Sequence, residues 1–265
     1  MKKERLDEAL VRLQYADTPE LARAIIMEGR VFQNGNRLDK PAILLASDVG
    51  LTVKGDKLPY VSRGGLKLEK AIAAFGLTFE GKTCMDVGSS TGGFTDCMLQ
   101  KGAQKVYAVD VGYGLLDWKL RNDPRVVVME RTNARLLNPE MTGGERMDFA
   151  SMDVSFISIR TVLPAVRTCM KENAHLAVLV KPQFEAQREQ VGKGGIVRDP
   201  KVHREVLETV IAAMPAIGLV PQGLTVSPIK GVGGNTEFLL HLTNTELNDA
   251  AFQAERAIED VLRFV

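Results

Sequence analysis

The sequence is short of the features that would mark several protein classes. It has only three cysteines, Cys84, Cys97 and Cys169, widely spaced and with no CxxC pair. That excludes a disulfide scaffold, gives no zinc-type spacing, and predicts a reducing, cytoplasmic setting with no metal. Uninterrupted apolar runs are brief, Leu176–Val180 being among the longest, and far too short to cross a bilayer. The basic start MKKERLDEAL carries no apolar segment of the kind a signal peptide needs, so no membrane partner is expected. Charge excess is also missing: 34 Lys and Arg against 33 Asp and Glu leave a net +1. Any nucleic-acid contact must therefore come from local placement of Arg and Lys, because the bulk charge supplies no basic field.

What is present is an ordinary globular composition, 45% hydrophobic and 25% charged over 265 residues, enough for one mid-sized domain and a small one. Residues 1–60 read as a small α+β unit. Leu6, Ala9, Leu10 and Leu13 recur at helical spacing, and Thr18-Pro19 caps a second helix that Gly29 stops. Val31-Phe32, the Asn34-Gly35 turn with Asn36, and an apolar stretch Val49–Val53 predict short strands, Asn-Gly being a strong hairpin signal. Residues 57–65 (KLPYVSRGG) read as a linker.

From 61 to 265 the pattern becomes strand–helix alternation, with strands expected at Thr83–Val87, Lys105–Val109, Val126–Glu130, Asp148–Asp153 and His175–Lys181. This predicts an α/β fold, a parallel sheet covered by helices on both faces. Leu219–Ile229 and Glu237–Leu242, joined by the glycine-rich 230–235, add a terminal hairpin and hence one antiparallel strand; Glu246–Val265 reads as an amphipathic helix.

The sharpest motif is DVGSSTGGFTDCML, Asp86–Leu99, which follows an apolar strand and opens a helix. Gly88, Gly92 and Gly93 would let backbone approach a ligand, with Ser89, Ser90, Thr91 and Phe94 completing the turn. Asp110 ends the next strand, where a carboxylate can accept both hydroxyls of a ribose. A plain βα turn or a dinucleotide site are the alternatives. GSSTGG is not GxGxxG, however, and Asp86 before the first glycine would repel a pyrophosphate while suiting the ammonium of a methionine moiety. The expectation is S-adenosylmethionine and a Rossmann-like class I methyltransferase sheet.

With VSRGGLKL (61–68), DVGSSTGGFTD (86–96), AVDVGYGLL (108–116), ERTNAR (130–135), MDVSFIS (152–158), LVKPQFE (179–185) and GNTEFLL (234–240), the chain resembles the hemolysin A/TlyA family along essentially its whole length. That family joins an S4 RNA-binding domain to an FtsJ-like ribose methyltransferase domain. The resemblance implies methylation of a ribose 2′-hydroxyl of ribosomal RNA, with rRNA or ribosomal subunits as partners, and it adds Asn133 and Asp153 to the donor-binding set. It implies that Lys67, Asp153, Lys181 and Glu237 are the catalytic tetrad, Lys181 acting as base or hydroxyl-orienting group, Asp153 as its partner, and Lys67 and Glu237 holding the geometry. Taken singly, each has a plainer reading as a solvated, capping or edge residue. A lysine acts as base only when its pKa falls well below ~10.4. The family's basic positions map onto Arg23, Arg30 and Arg37, with Arg63 beside them. The long connection 182–200, carrying Arg188, Lys193 and Arg198, reads as an RNA-contacting lid or else a solvated mobile loop. Three alternatives stand beside this reading. MDVSF is weakly similar to the loop of base-amino methyltransferases; residues 1–60 alone would suffice for a non-catalytic RNA-binding protein; and a pore-forming cytolysin would need a membrane-active segment.

Overall fold

The computed structural model describes residues 3–13, 15–16, 18–46, 50–54, 59–245 and 252–265. Val49, residues 57–58 and residues 246–251, parts of the predicted strand, linker and last helix, lie outside them.

The first unit contains β1 (Lys3–Arg5), α1 (Leu6–Arg12), α2 (Pro19–Met27), β2 (Val31–Gln33), β3 (Asn36–Leu38), β4 (Leu44–Ala46) and β5 (Thr52–Val53). The start of α2 is fixed by the Thr18 hydroxyl, which accepts the Leu21 N–H at 3.2 Å. Asn34 and Gly35 both have positive φ, 50° and 80°, as the tight β2–β3 hairpin requires. Leu6, Leu10, Ala22, Ile26 and Val31 are fully buried and, with Leu45 and Leu51, form a core of their own. The pairing of β1 with β4 is absent from the sequence reading, and of the stretch Val49–Val53 only Thr52–Val53 is strand, pairing with β2.

The second unit runs α3 (Gly64–Phe75), β6 (Thr83–Val87), α4 (Gly93–Gln100), β7 (Lys105–Val109), α5 (Trp118–Arg121), β8 (Val126–Met129), β9 (Met147–Met152), α6 (Ile159–Thr168), β10 (Met170–Val180), α7 (Pro182–Glu185), α8 (Pro200–Ile217), β11 (Val220–Val226), β12 (Phe238–Asn244) and α9 (Ala254–Leu262). Gly64 and Gly65 thus open a helix instead of ending a linker; a side chain on Gly65 would strike the Tyr60 ring. The sheet order is β11-β12-β10-β9-β6-β7-β8, with β12 antiparallel to both neighbours and the rest parallel. The predicted terminal hairpin and single antiparallel strand are therefore present.

Alternation along each strand sends side chains to two layers. Met85, Val87, Ala150, Met152, Val178 and Leu240 pack with α6, α8 and α9. Cys84, Val106, Phe149, Leu179 and Leu239 pack with α3 and α4. Strand order reverses between β6 and β9, the place where open α/β sheets bind ligands at the carboxyl ends of their strands. Because β12 runs backwards, its first residue Phe238 lies opposite Val180, the last of β10. Glu237 is thereby delivered to the same edge as residues 153 and 181.

The connection 182–200 is a folded strap, not a loose loop. Gly192 and Ile196 bridge, Val197 is 2% exposed, and Asn235 grips the strap by accepting Val197 N–H and donating to the Gly195 carbonyl, both at 2.9 Å.

Phe149 meets Phe79 edge-on at 4.8 Å at the centre of one layer. Phe149→Ala should cost about 3–5 kcal/mol in urea unfolding; a loss within experimental error would contradict this packing.

Candidate active site

Lys67 lies in the first turn of α3, Asp153 just past β9, Lys181 just past β10 and Glu237 just before β12. The Lys67 ammonium donates to Glu237 Oε2 at 2.8 Å and to Asp153 Oδ2 at 3.1 Å. Lys181 Nζ lies 2.6 Å from Asp153 Oδ1 and donates to Ser155 Oγ at 3.0 Å. Asp153 is therefore shared between two lysines. Burial alone would raise its pKa, but the adjacent charges of Lys67 and Lys181 hold it below the ordinary carboxylate value. Burial likewise opposes the charge on Lys67, yet Asp153 and Glu237 outweigh it and raise its pKa. Two cations and two anions balance in a buried group. Deleting one member leaves an uncompensated charge, which typically costs about 3–5 kcal/mol.

These four side chains open into a cavity of about 760 Å³ that is also lined by Asp86, Gly88, Ser89, Ser90, Thr91, Gly93 and Phe94. Gly92, Asp110 and Asn133, also predicted for this site, do not line it. Gly88 and Gly93 line the cavity, and all three glycines also serve the packing of the fold. A Cβ on Gly88 would meet the Asp153 carbonyl oxygen at 2.5 Å; on Gly92 it would strike Leu120 Cδ1, and on Gly93 the Ser62 Oγ. Each missing side chain is a place where protein packs on protein. Asp110 is held by backbone, accepting Ser90 N–H at 2.8 Å and Gly112 N–H at 2.7 Å, and its carbonyl accepts Thr132 N–H next to Asn133. Asp86 is 1% exposed and accepts from Thr95 N–H at 2.9 Å, Thr95 Oγ–H at 2.7 Å and Ser151 Oγ–H at 3.0 Å. Burial nevertheless pushes its carboxyl up to about 6, against the lowering by those hydrogen bonds.

Comparison with known proteins matches residues 60–244 to the FtsJ-like methyltransferases and residues 4–48 to the S4 domain. The chain belongs to the FtsJ-like methyltransferase family. It is 57% identical to the Bacillus subtilis protein YqxC over 91% of this chain and 86% of that one. It is 44% identical to the 16S/23S rRNA (cytidine-2′-O)-methyltransferase TlyA of Mycobacterium tuberculosis over 98% of this chain and 96% of the relative. Among solved structures, one described as a hemolysin from Streptococcus thermophilus shares 46% identity and a TM-score of 0.77, covering 99% of this chain and 97% of that one. Among the described residues no helix is long and apolar enough to cross a membrane.

Of the basic residues singled out in this FtsJ-like and S4 chain, Arg37 and Arg63 line the cavity mouth with Met27 and Glu28. Arg63 pairs with Glu28 at 3.2 Å, and Arg30 lies 3.6 Å from the same carboxylate. Arg23 points elsewhere, to Asp7 at 3.1 Å and Glu20 at 3.6 Å. Arg188, Lys193 and Arg198 are exposed on the strap. Sequence reasoning missed Ser155, Lys230 and Phe156. Ser155 and Lys230 line the cavity. Phe156 is 90% exposed with φ +64°, 5.1 Å from the Phe184 ring. An aromatic directly after a serine in a non-helical stretch, Ser155-Phe156-Ile157-Ser158, was the available signal.

The raised pKa of Asp86 gives a pH test. The protonated form suits the fold, so this stability is full below about pH 4 and is lost as pH rises through about 6. The amide introduced by Asp86→Asn does not titrate. The stability of wild type relative to Asp86→Asn should therefore fall by about 3 kcal/mol between about pH 4 and pH 7 in urea titrations. An unchanged difference would refute the burial argument.

Proposed function

We propose that this chain transfers a methyl group from S-adenosylmethionine to a ribose 2′-hydroxyl of ribosomal RNA, residues 61–265 carrying the chemistry and residues 1–60 the RNA contact. The observation that carries the reading is the Lys67–Asp153–Lys181–Glu237 group, which opens on the same cavity as the 88–94 turn. The function in the name of the TlyA relative points the same way.

The residues fit the donor. A cavity of about 760 Å³ lies within the usual range for small-molecule sites. Its wall is the stretch Gly88–Thr91, with Ser90 at φ +49°. The Asp86 carboxylate gives that end a negative field suited to an ammonium, and Asp110, just outside, is fixed by two backbone N–H groups where a ribose can be met. Bound there, the donor supplies an electrophilic methyl on a sulfonium.

The chain's own task is to present an oxygen in line and manage its proton. Lys181 is the one group of the tetrad that touches both Asp153 and a hydroxyl, that of Ser155. A ribose hydroxyl entering beside Ser155 meets Lys181 Nζ, which holds it as a donor or takes its proton as an amine. Asp153 fixes that nitrogen, while Lys67, itself anchored by Glu237, keeps Asp153 ionised and in place. Phe156, exposed beside Ser155, offers a face on which a base turned out of its stack can rest. A base-amino acceptor would need no lysine, so the two buried lysines favour the hydroxyl.

The test is transfer of labelled methyl from S-adenosylmethionine to ribosomal subunits, followed by alkaline hydrolysis of the RNA. A 2′-O-methyl blocks cleavage at its position; label on a base with cleavage intact would exclude this reading. Lys181→Ala and Lys181→Arg should each slow single-turnover transfer roughly a hundred- to ten-thousand-fold with donor affinity near wild type by calorimetry. Arginine fails because it stays protonated and its planar fork does not reproduce the ammonium geometry. Wild-type rates in both variants would remove the tetrad from the chemistry.

A further inference from the structure

We infer that Glu185 is a positioning residue: it clamps the segment after β9 to the segment after β10, and so holds Lys181 against Ser155 and Asp153. The inference rests on the methyltransferase reading for its catalytic consequence, while the clamp itself is a matter of geometry.

Strands β9 and β10 are hydrogen-bonded neighbours up to Met152 and Val178. Beyond their ends no ladder fixes residues 153–158 relative to residues 181–185, yet the tetrad needs one member from each segment. Lysine makes this demanding, because its long flexible stem sets no geometry of its own. Glu185 supplies the missing tie. Its side chain is 1% exposed. It accepts Ser158 Oγ–H at 2.6 Å, Ile159 N–H at 2.7 Å and Arg160 Nε–H at 3.3 Å. All three donors come from the start of α6, which directly follows the Asp153–Phe156 segment.

Capping α6 does not by itself require Glu185. Ser158 already serves as N-cap, its hydroxyl accepting Arg160 N–H at 3.2 Å. A second acceptor, brought from four residues beyond Lys181, adds connection between segments. Going outward from the sheet the cross-links follow in order: Lys181 to Asp153, Lys181 to Ser155, Phe184 against Phe156, and Glu185 to Ser158 and Ile159. Glu185 is the outermost of these links, yet its side chain is sheltered from solvent. It also opposes a local strain, because Phe156 has φ +64°, a left-handed conformation that costs a non-glycine residue on the order of 1 kcal/mol or more. Released at Glu185, Phe156 would relax toward negative φ and carry Ser155 away from Lys181. A misplacement on the order of 1 Å can slow a reaction by about a hundred-fold.

Glu185→Gln keeps the size but sets an amide N–H₂ among three donors. In the full-length protein, single-turnover methyl transfer to ribosomal subunits should fall about a hundred-fold, with donor affinity, KM for subunits and melting temperature near wild type. Ser158→Ala, which removes one donor from the other side, should give a smaller loss of the same kind and guards against a poorly folded Glu185→Gln protein. In a Lys181→Ala background, Glu185→Gln should cost nothing further. Amide exchange at 154–160 should quicken in Glu185→Gln without any substrate present. A wild-type rate in Glu185→Gln, an equal added loss in the Lys181→Ala background, or unchanged exchange would each overturn the inference. Wild-type protein that moves no methyl to rRNA would instead sink the functional reading, with the exchange result still judging the clamp.

Discussion

The arrangement depends on one carboxylate shared by two ammonium groups. Asp153 alone at the end of a buried strand would be costly to ionise, and Lys67 and Lys181 alone would repel each other. Together, with Glu237 on Lys67, the four charges cancel. Each side chain thus sets the conformation of the next, and none can be judged singly. The neutral sum also permits burial, because only a balanced group can be removed from water at tolerable cost.

That balance could not form on a sheet of parallel strands alone. Strands β9 and β10 bring residues 153 and 181 to one edge, but a second carboxylate needs a chain arriving at that edge from outside. The reversed β12 provides it. Pairing Phe238 with Val180 fixes Glu237 at the carboxyl edge, and Gly231 leaves the space that Glu237 fills, since a Cβ there would strike its Oε1. The fourth member comes from α3, whose approach to α4 depends on Gly93 lying against Ser62 and Gly65. The antiparallel hairpin, from within the sheet, and the glycine-rich turn, through the α3–α4 layer on one of its faces, therefore act on the same site.

This explains what could be read in advance. The central strands were legible because buried parallel strands are runs of apolar residues bounded by glycine and charge, as in Thr83–Val87 and Lys105–Val109. The gathering of Lys67, Asp153, Lys181 and Glu237 was legible through motifs, since each member sits in a short recognisable string. What escaped was whatever depends on a distant partner. The strands β1 and β4 are three residues each and pair across some forty positions, leaving no local period to detect. The packing role of the glycines at 88, 92 and 93 escaped because the atoms beside them belong to residues 153, 120 and 62. The strap looked like a loop because its anchor, Asn235, is on another element. The partners of Glu185 likewise lie on another element, at the start of α6.

The near-zero net charge fits this picture better than it first suggests. A uniformly basic surface would bind RNA in many registers, since phosphate contacts carry no sequence information. Here several of the arginines are engaged with the chain's own carboxylates: Arg23 with Asp7 and Glu20, Arg30 and Arg63 with Glu28. Glu28 is itself buried, and burial raises its pKa despite both arginines. In the proposed function, a phosphate approaching the cavity would compete with that carboxylate for Arg63, which would lower the gain from any single contact and reward an RNA that engages several at once. Arg63 is also the N-cap residue of α3, four positions before Lys67. The contact between the two units therefore falls on the helix that supplies Lys67, so in the proposed function recognition and chemistry would share a structural element.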